Sequence, residues 1–273
     1  MFAATLHSAN CFVSGVPLPE LLQILRGYLE EMSTNRQDVA YNLVAIVAQL
    51  CANLMGDAED PTVLTGEFMK QETAIQLALD SKNTPLHFLL SSSLLTLSYL
   101  MDEHLLAEEH GVVSRAQIWA IKPGYGWIEQ IFHDGLDAVK LSSVQPGGRR
   151  RKQLRLVRKN LRLLKKAAVH APSSCLHKVN LLGAELDAAT GNFDAALWKY
   201  KLAMSLANSD GFIQNEALAC ELFAFTLLER NRFDSACRQL ERACSLHATR
   251  GCRLKVDQLR AKLVEIRGKQ SYV

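Results

Sequence analysis

The sequence predicts an all-α fold in which antiparallel helical hairpins stack in chain order as an α-solenoid. A six-residue motif occurs twice, forty positions apart, at 191–196 and at 231–236. Apolar residues recur at helical rather than alternating spacing through most of the chain, which has only seven prolines. Hydrophobic residues make up 48% of the 273 positions, which is enough for a substantial core.

The repeated motif predicts a turn followed by a new helix. Gly191 and Asn231 stand where the chain reverses, and both residue types tolerate the left-handed backbone conformation that ends a helix. Asp194 and Asp234 then favour a first helical turn, because a carboxylate there faces the positive end of the helix dipole.

Aromatic and small residues are expected to set the packing of these hairpins. Phe193 and Phe233 are placed to fill the crevice between two antiparallel helices. Side chains larger than alanine at the contacts would push helices beyond the roughly 8–10 Å of close packing. The small residues that occupy equivalent positions in the two copies, forty residues apart, are Ala196, Ala203, Ala236 and Ala243. Together with Leu197 and Tyr200, the motif resembles the second half of a tetratricopeptide repeat, although forty residues exceed that repeat's usual length of about 34.

Residues 1–110 predict an N-terminal helical-repeat region. Each helix shows an apolar stripe, and Asp38 is expected to cap the second helix, which Gly56 ends. The predicted helices are 17–32, 38–54, 67–81 and 84–109.

Residues 111–148 interrupt this pattern and predict an atypical, turn-rich linker. Glycine and proline cluster at 123–127 and at 146–148, and only 128–141 suggests a helix between them. Residues 149–273 then predict a C-terminal, tetratricopeptide-like helical-repeat region. The predicted helices are 149–170, 174–190, 193–208, 212–230, 233–248 and 252–267.

The first C-terminal helix carries ten basic residues and no acidic one. The whole chain has a formal charge of +3, so the remaining residues sum to −7. This candidate basic interaction surface suits an acidic partner, an anionic membrane surface, nucleic acid or an import receptor; the alternative is a solvated face balanced by acidic neighbours. Nucleic acid is disfavoured, because no aromatic residue interleaves with the charges to stack on bases. The ten residues are Arg149, Arg150, Arg151, Lys152, Arg155, Arg158, Lys159, Arg162, Lys165 and Lys166.

Seven cysteines, an odd number without a Cys-x-x-Cys pair, predict reduced thiols in a cytoplasmic protein. Cys237, Cys244, Cys252 and His247 are candidates for a metal set, but structural zinc recruits two closely spaced pairs, so we expect core positions instead. No cofactor or metal is therefore predicted. The most apolar run, 85–101, contains polar residues, so we expect a buried helix rather than a membrane span, and no signal peptide.

A further set of residues is spread along the chain. These residues are Ser14–Leu18, Gln49, Asn53–Gly56, Pro61, Leu64, Gly66, Glu67, His170–Pro172, His177, Lys178, Ala184, Glu185, 211–222, Gly251, Lys255, Val256 and Leu259. The set resembles the helical-repeat region of large hybrid sensor histidine kinases and serine/threonine-kinase-like signalling proteins that contain an AAA-type ATPase module. Most of the chain takes part, with departures at 111–148, at Arg250 and at Asn231.

The resemblance implies an interaction scaffold, either a separate gene product or a fragment of such a kinase, whose partner is a protein such as an adjoining ATPase or kinase module. The sequence lacks the phosphate-binding loop, the kinase signatures and the ATP lid, so no enzyme activity is carried over. Two alternatives stay open. One is a stand-alone nucleic-acid or anion-binding regulator that uses 149–166. The other is an enzyme with a site around Trp119, Tyr125, Trp127 and His133.

We expect a fragment that starts at Arg149 to fold cooperatively and a shorter piece that ends at Gly191 to stay unfolded. Each hairpin leaves an apolar face that only the next repeat covers, so the shorter piece cannot complete a core. Circular dichroism melts measure the difference. A sharp melt of the fragment that ends at Gly191 would contradict the repeat assignment.

Overall fold

The computed structural model describes residues 2–120 and 125–270. Within these ranges the chain forms thirteen α-helices and one short 3-10 helix, with no strand, which confirms the predicted all-α fold. Helices that follow one another in sequence pack as neighbours, consistent with stacked antiparallel hairpins. The chain divides into two compact units, unit 1 (Met1–Leu141) and unit 2 (Ser142–Val273).

Unit 1 is built around a central apolar helix. Its elements are α1 Phe2–Ser14, α2 Leu18–Thr34, α3 Asp38–Met55, α4 Gln71–Asp80, α5 Thr84–Leu100, α6 His104–Gln117, a 3-10 helix Ile118–Ala120 and α7 Tyr125–Val144. Helix α3 packs against α1, α2 and α5. It is the one helix of the described ranges that is long and apolar enough to span a bilayer, and 61% of it is buried, as in the core helix of a folded unit.

Helix α5 buries four serines and a threonine among its leucines. Ser91 Oγ donates to the His87 carbonyl at 2.7 Å, and Thr96 Oγ1 donates to the Ser92 carbonyl at 3.1 Å. Hydroxyls bonded to the preceding turn of their own helix can be buried without other partners. The buried helix predicted for 85–101 is therefore confirmed.

Two predicted boundaries in unit 1 differ from the structure. The predicted helix 84–109 breaks after Leu100, because Asp102 takes a left-handed conformation with a φ of 63°. Asp38 is the first residue of α3 rather than its cap, and no side-chain hydrogen bond caps that end. The predicted end of α3 at Gly56 is confirmed by a φ of 82° there.

Two buried amides hold the loop between α3 and α4. Asn53 Nδ2 donates to the Val63 carbonyl at 2.8 Å, and Gln49 Nε2 donates to Asn53 Oδ1 at 2.9 Å. Gln49 Oε1 accepts from the Phe68 amide at 3.1 Å. A Cβ atom on Gly66 would lie 2.7 Å from Gln49 Nε2, so a larger residue would displace this amide. The loop held in this way is longer than predicted, and α4 begins later.

Residues 111–148 are mostly helical where they are described, in contrast to the predicted turn-rich linker. Phe132 of α7 is fully buried, and Arg115 of α6 forms an ion pair with Asp134 of α7. The sequence underestimates the helix content because the glycines and the proline near 123 dominate local propensity, whereas burial of α7 in unit 1 outweighs them. The predicted turn itself falls partly on 121–124, outside the described residues.

Unit 2 consists of six helices that pack in chain order. They are α8 Gly147–His170, α9 Pro172–Ala189, α10 Phe193–Ser209, α11 Ile213–Leu228, α12 Phe233–Arg250 and α13 Arg253–Gln270. Left-handed residues separate the last five at steps of twenty, namely Gly191, Gly211, Asn231 and Gly251, with φ of 87°, 80°, 56° and 85°. The predicted left-handed turns at Gly191 and Asn231 are confirmed, and each forty-residue repeat contains two such steps.

Small and aromatic residues occupy the contacts between the helices of unit 2. The alanines of the repeat, Ala196, Ala203, Ala236 and Ala243, are at most 1% exposed. Tyr200 of α10 stacks on Phe223 of α11 with ring centroids 5.2 Å apart, and its hydroxyl lies 2.9 Å from Thr226 Oγ1. The alanines and the stacked rings are therefore both part of the packed interior of unit 2.

The sequence predicts that the two repeat phenylalanines fill the crevice between antiparallel helices, but in the structure they do not. Phe233 is 37% exposed, and Phe193 is half-buried with the Arg230 guanidinium carbon 4.6 Å from its ring centroid. Both are the first residues of their helices, beside the turn, where solvent reaches them. Tyr200 and Phe223 lie further along their helices and are buried.

A buried carboxylate joins α11, α12 and α13. Glu221 lies 2.7 Å from Lys255 Nζ and 3.7 Å from His247 Nε2, and none of the three side chains is more than 5% exposed. Burial alone would raise the pKa of Glu221, but the charges of Lys255 and His247 outweigh it and hold this pKa at about 2. Burial also opposes the charged form of His247, yet its contacts with Cys252 and Glu221 raise its pKa.

Replacing Lys255 by methionine should destabilise unit 2 by about 3 kcal/mol, because buried Glu221 would lose its nearer cation and keep only His247 at 3.7 Å. The free energy of unfolding in urea measures this loss. Lys262→Met is the matched control, since Lys262 is 38% exposed and its pair with Glu265 contributes at most about 1 kcal/mol. Equal losses in the two variants would contradict the assigned role of Glu221.

Acidification should weaken the fold through Glu221. Its folded pKa of about 2 lies below the usual 4.5, so its contribution is complete above pH 4.5 and is lost as the pH falls towards 2. The unfolding free energy of Glu221→Gln should therefore vary less across this window than that of the wild type, by about 3 kcal/mol. His247 stays protonated throughout the window, because its pKa is raised. Glu265→Gln should follow the wild-type curve, and a Glu221→Gln curve parallel to it would refute the assignment.

Candidate basic interaction surface

Helix α8 is held in place by its apolar side, which packs on α9. Val157 and Leu164 are fully buried, and Leu154 is 9% exposed. These residues are three and seven positions apart, so they share one face of the helix. The helix ends at His170 before Pro172, as predicted.

The opposite side of α8 carries the ten predicted basic residues, and all ten are exposed. They are named the basic face: Arg149, Arg150, Arg151, Lys152, Arg155, Arg158, Lys159, Arg162, Lys165 and Lys166. The eight from Arg151 to Lys166 fall within an arc of about 140° and extend about 22 Å along the helix axis. Every exposed residue between 149 and 166 is arginine or lysine.

The basic face carries no direct counter-charge. Within the described ranges, no carboxylate lies within 4.0 Å of any of its ten cationic groups. Arg150 Nη2 donates to the Ala189 carbonyl at 3.0 Å, which leaves its charge in place. Some other cations of unit 2 are paired with carboxylates, as Lys199 is with Asp187 at 2.5 Å. The acidic neighbours that would balance the basic face are therefore not in contact with it.

The two units carry opposite formal charges. Unit 2 contains 24 Lys and Arg against 11 Asp and Glu, a formal charge of +13. Unit 1 contains 7 Lys and Arg against 17 Asp and Glu, a formal charge of −10. The net +3 of the whole chain hides this division. The division is already visible in the sequence, because the predicted C-terminal region 149–273 contains the same 24 basic and 11 acidic residues.

The cysteines considered as metal ligands occupy the helix contacts of unit 2. Cys237 and Cys252 are buried, and Cys244 is half-buried, where burial raises the pKa of its thiol. Cys252 lies beside His247, whose contact lowers the pKa of the thiol although burial opposes this. Over the described residues, no group of three or more His, Cys, Asp or Glu side chains is arranged to hold a metal ion.

The segment considered as an enzyme site has its residues in different surroundings. Trp119 is 79% exposed, whereas His133 is 7% exposed and its Nδ1 atom lies 3.0 Å from the Glu129 carbonyl. Trp127 is half-buried, and the side chain of Tyr125 lies outside the described residues. Trp119 thus faces solvent while His133 faces the interior of unit 1.

Unit 1 also contains a small cavity that no sequence motif indicates. Its volume is about 70 Å³, and α1, α3, α5 and α7 line it. Phe12 and Leu50 form apolar walls, and Gln130 and His133 add polar groups. The cavity is large enough to hold water. Its residues come from helices far apart in the chain, so only the fold brings them together.

No known protein family matches the chain, and no curated protein matches it. The structure itself supports an all-helical protein of consecutive hairpins.

Proposed function

We propose that the chain is a non-catalytic helical-repeat scaffold that binds an anionic partner through the basic face of α8. The observation that carries this proposal is the set of ten exposed cations without a carboxylate within 4.0 Å. Unpaired charges of one sign attract an opposite charge over several ångströms and accelerate its association. A surface that was already neutralised would lack this attraction.

The packing of α8 against α9 also supports a binding role. Its apolar side is buried against α9, so the basic face is presented on a folded helix and not on a mobile tail. A rigid set of cations loses less conformational entropy on binding than a disordered basic segment does. Scaffolds built from helical repeats commonly offer such fixed surfaces to partners.

The resemblance to signalling kinases makes the proposal more specific. It implies a protein partner in addition, such as an ATPase or kinase module adjoining the repeats, which the scaffold would contact through surfaces other than the basic face. The absence of phosphate-loop and kinase motifs from the sequence favours a scaffold over an enzyme.

Retention of the full chain on heparin tests the proposal. The basic-face variant reverses three charges at the centre of α8: Arg155→Glu, Arg158→Glu and Arg162→Glu. The control variant reverses three exposed cations elsewhere in unit 2: Lys201→Glu, Arg232→Glu and Arg260→Glu. We expect the wild type to be retained and the basic-face variant to elute at roughly half its salt concentration, with a smaller shift for the control.

Circular dichroism shows whether each variant is folded before its elution is compared. Equal shifts for the two variants would mean that net charge alone determines retention, and the basic face would lose its assigned role. A wild-type chain that passes through the column at low salt would contradict the proposal directly.

A further inference from the structure

We propose that the anionic partner of the basic face is the phosphate backbone of a nucleic-acid duplex, an inference that rests on the proposed function. The duplex is contacted along both edges of the exposed arc of α8, without reading of its base sequence. Three features of the basic face favour this partner over an acidic protein, a single strand or a bilayer.

The composition of the basic face argues against a protein partner. Protein interfaces have an apolar or aromatic centre and are depleted in lysine, because buried anchors provide most of the binding energy. Between 149 and 166 every exposed residue of α8 is arginine or lysine, so this stretch offers no such anchor. A phosphate backbone requires none, since cations alone provide the attraction by releasing condensed counterions.

The geometry of the basic face matches two rows of phosphates. A helix with its side chains is about 10–12 Å across, close to the roughly 12 Å width of the major groove. One edge of the arc carries Arg158 and Lys165, and the other carries Lys152 and Lys159. The length of about 22 Å is enough for the basic face to contact several phosphates on each strand. Each edge can thus follow its own row.

The buried side of α8 argues against a bilayer. Helices that adsorb to membranes insert an apolar face between the headgroups. In α8 the residues that would insert, Leu154, Val157 and Leu164, are buried against the rest of unit 2. Single strands are disfavoured for a different reason, because their sequence-tolerant binding depends on aromatic residues that stack on bases. A duplex keeps its bases paired and presents phosphates instead.

Charge outside α8 adds to the argument. Unit 2 as a whole has a formal charge of +13, so the attraction does not end at the edges of the basic face. Unit 1, at −10, is repelled by phosphates. The attraction to phosphates therefore resides in unit 2. Because contacts to phosphates carry no sequence information, the affinity should be similar for unrelated sequences.

Fluorescence anisotropy of a labelled DNA duplex of roughly 20 base pairs tests this inference with the full chain. Between about 50 and 200 mM salt we expect the association constant to fall roughly 1,000-fold, as for about six phosphate contacts. The basic-face variant should bind at least about 100-fold more weakly at low salt and show a salt slope smaller by about three. The control variant should keep the wild-type slope to within about one contact.

Competition separates the possible partners. Unlabelled duplexes of unrelated sequence should displace the probe equally, and single strands of the same length should compete less well. Stronger competition by phosphatidylserine vesicles or by single strands would overturn the inference. Equal weakening of the two triple variants would overturn it as well.

The two proposals fail in different ways. If retention on heparin depends on the basic face but no duplex binds, the duplex inference falls and the scaffold remains. If retention on heparin does not depend on the basic face, both fall together.

Discussion

Reversal of the chain every twenty residues is the constraint on which unit 2 depends. A left-handed residue at 191, 211, 231 and 251 ends one helix and sends the next one back alongside it. With the helices side by side, the repeat alanines are buried, and Glu221 of α11 meets His247 of α12 and Lys255 of α13. The ion pair, the stacked rings and the support of α8 by α9 all follow from neighbouring helices that lie antiparallel.

Features that depend on local sequence could be predicted, and those that depend on distant partners could not. The turns at Gly191 and Asn231 and the exposed cations of α8 follow from residue type and helical period, both visible within a short window. The ion pair between Glu221 and Lys255 joins positions 34 residues apart, so no local sequence pattern predicts it. The break at Asp102 lies in the polar stretch Asp102–His104, in which no glycine or proline signals a turn.

The hydrogen bonds that hold the loop between α3 and α4 give a physical reason for the residue types at several positions in and after α3. Gln49 and Asn53 are buried polar residues whose amides satisfy backbone groups of that loop. Gly66 leaves room for the side-chain amide of Gln49. The hydrogen bonds of Gln49 and Asn53 therefore depend on a glycine at position 66. Residues scattered through a sequence can therefore depend on one another because they meet in one buried network.

The twenty-residue step also determines how such a chain can lengthen or shorten. Each twenty-residue step contains one helix and one chain reversal. The insertion or loss of a single step would therefore reverse the direction of every later helix. Two steps restore the original direction. The smallest segment that can be duplicated or lost while later helices keep their orientation is thus the forty-residue pair, the period at which the motif recurs in the sequence.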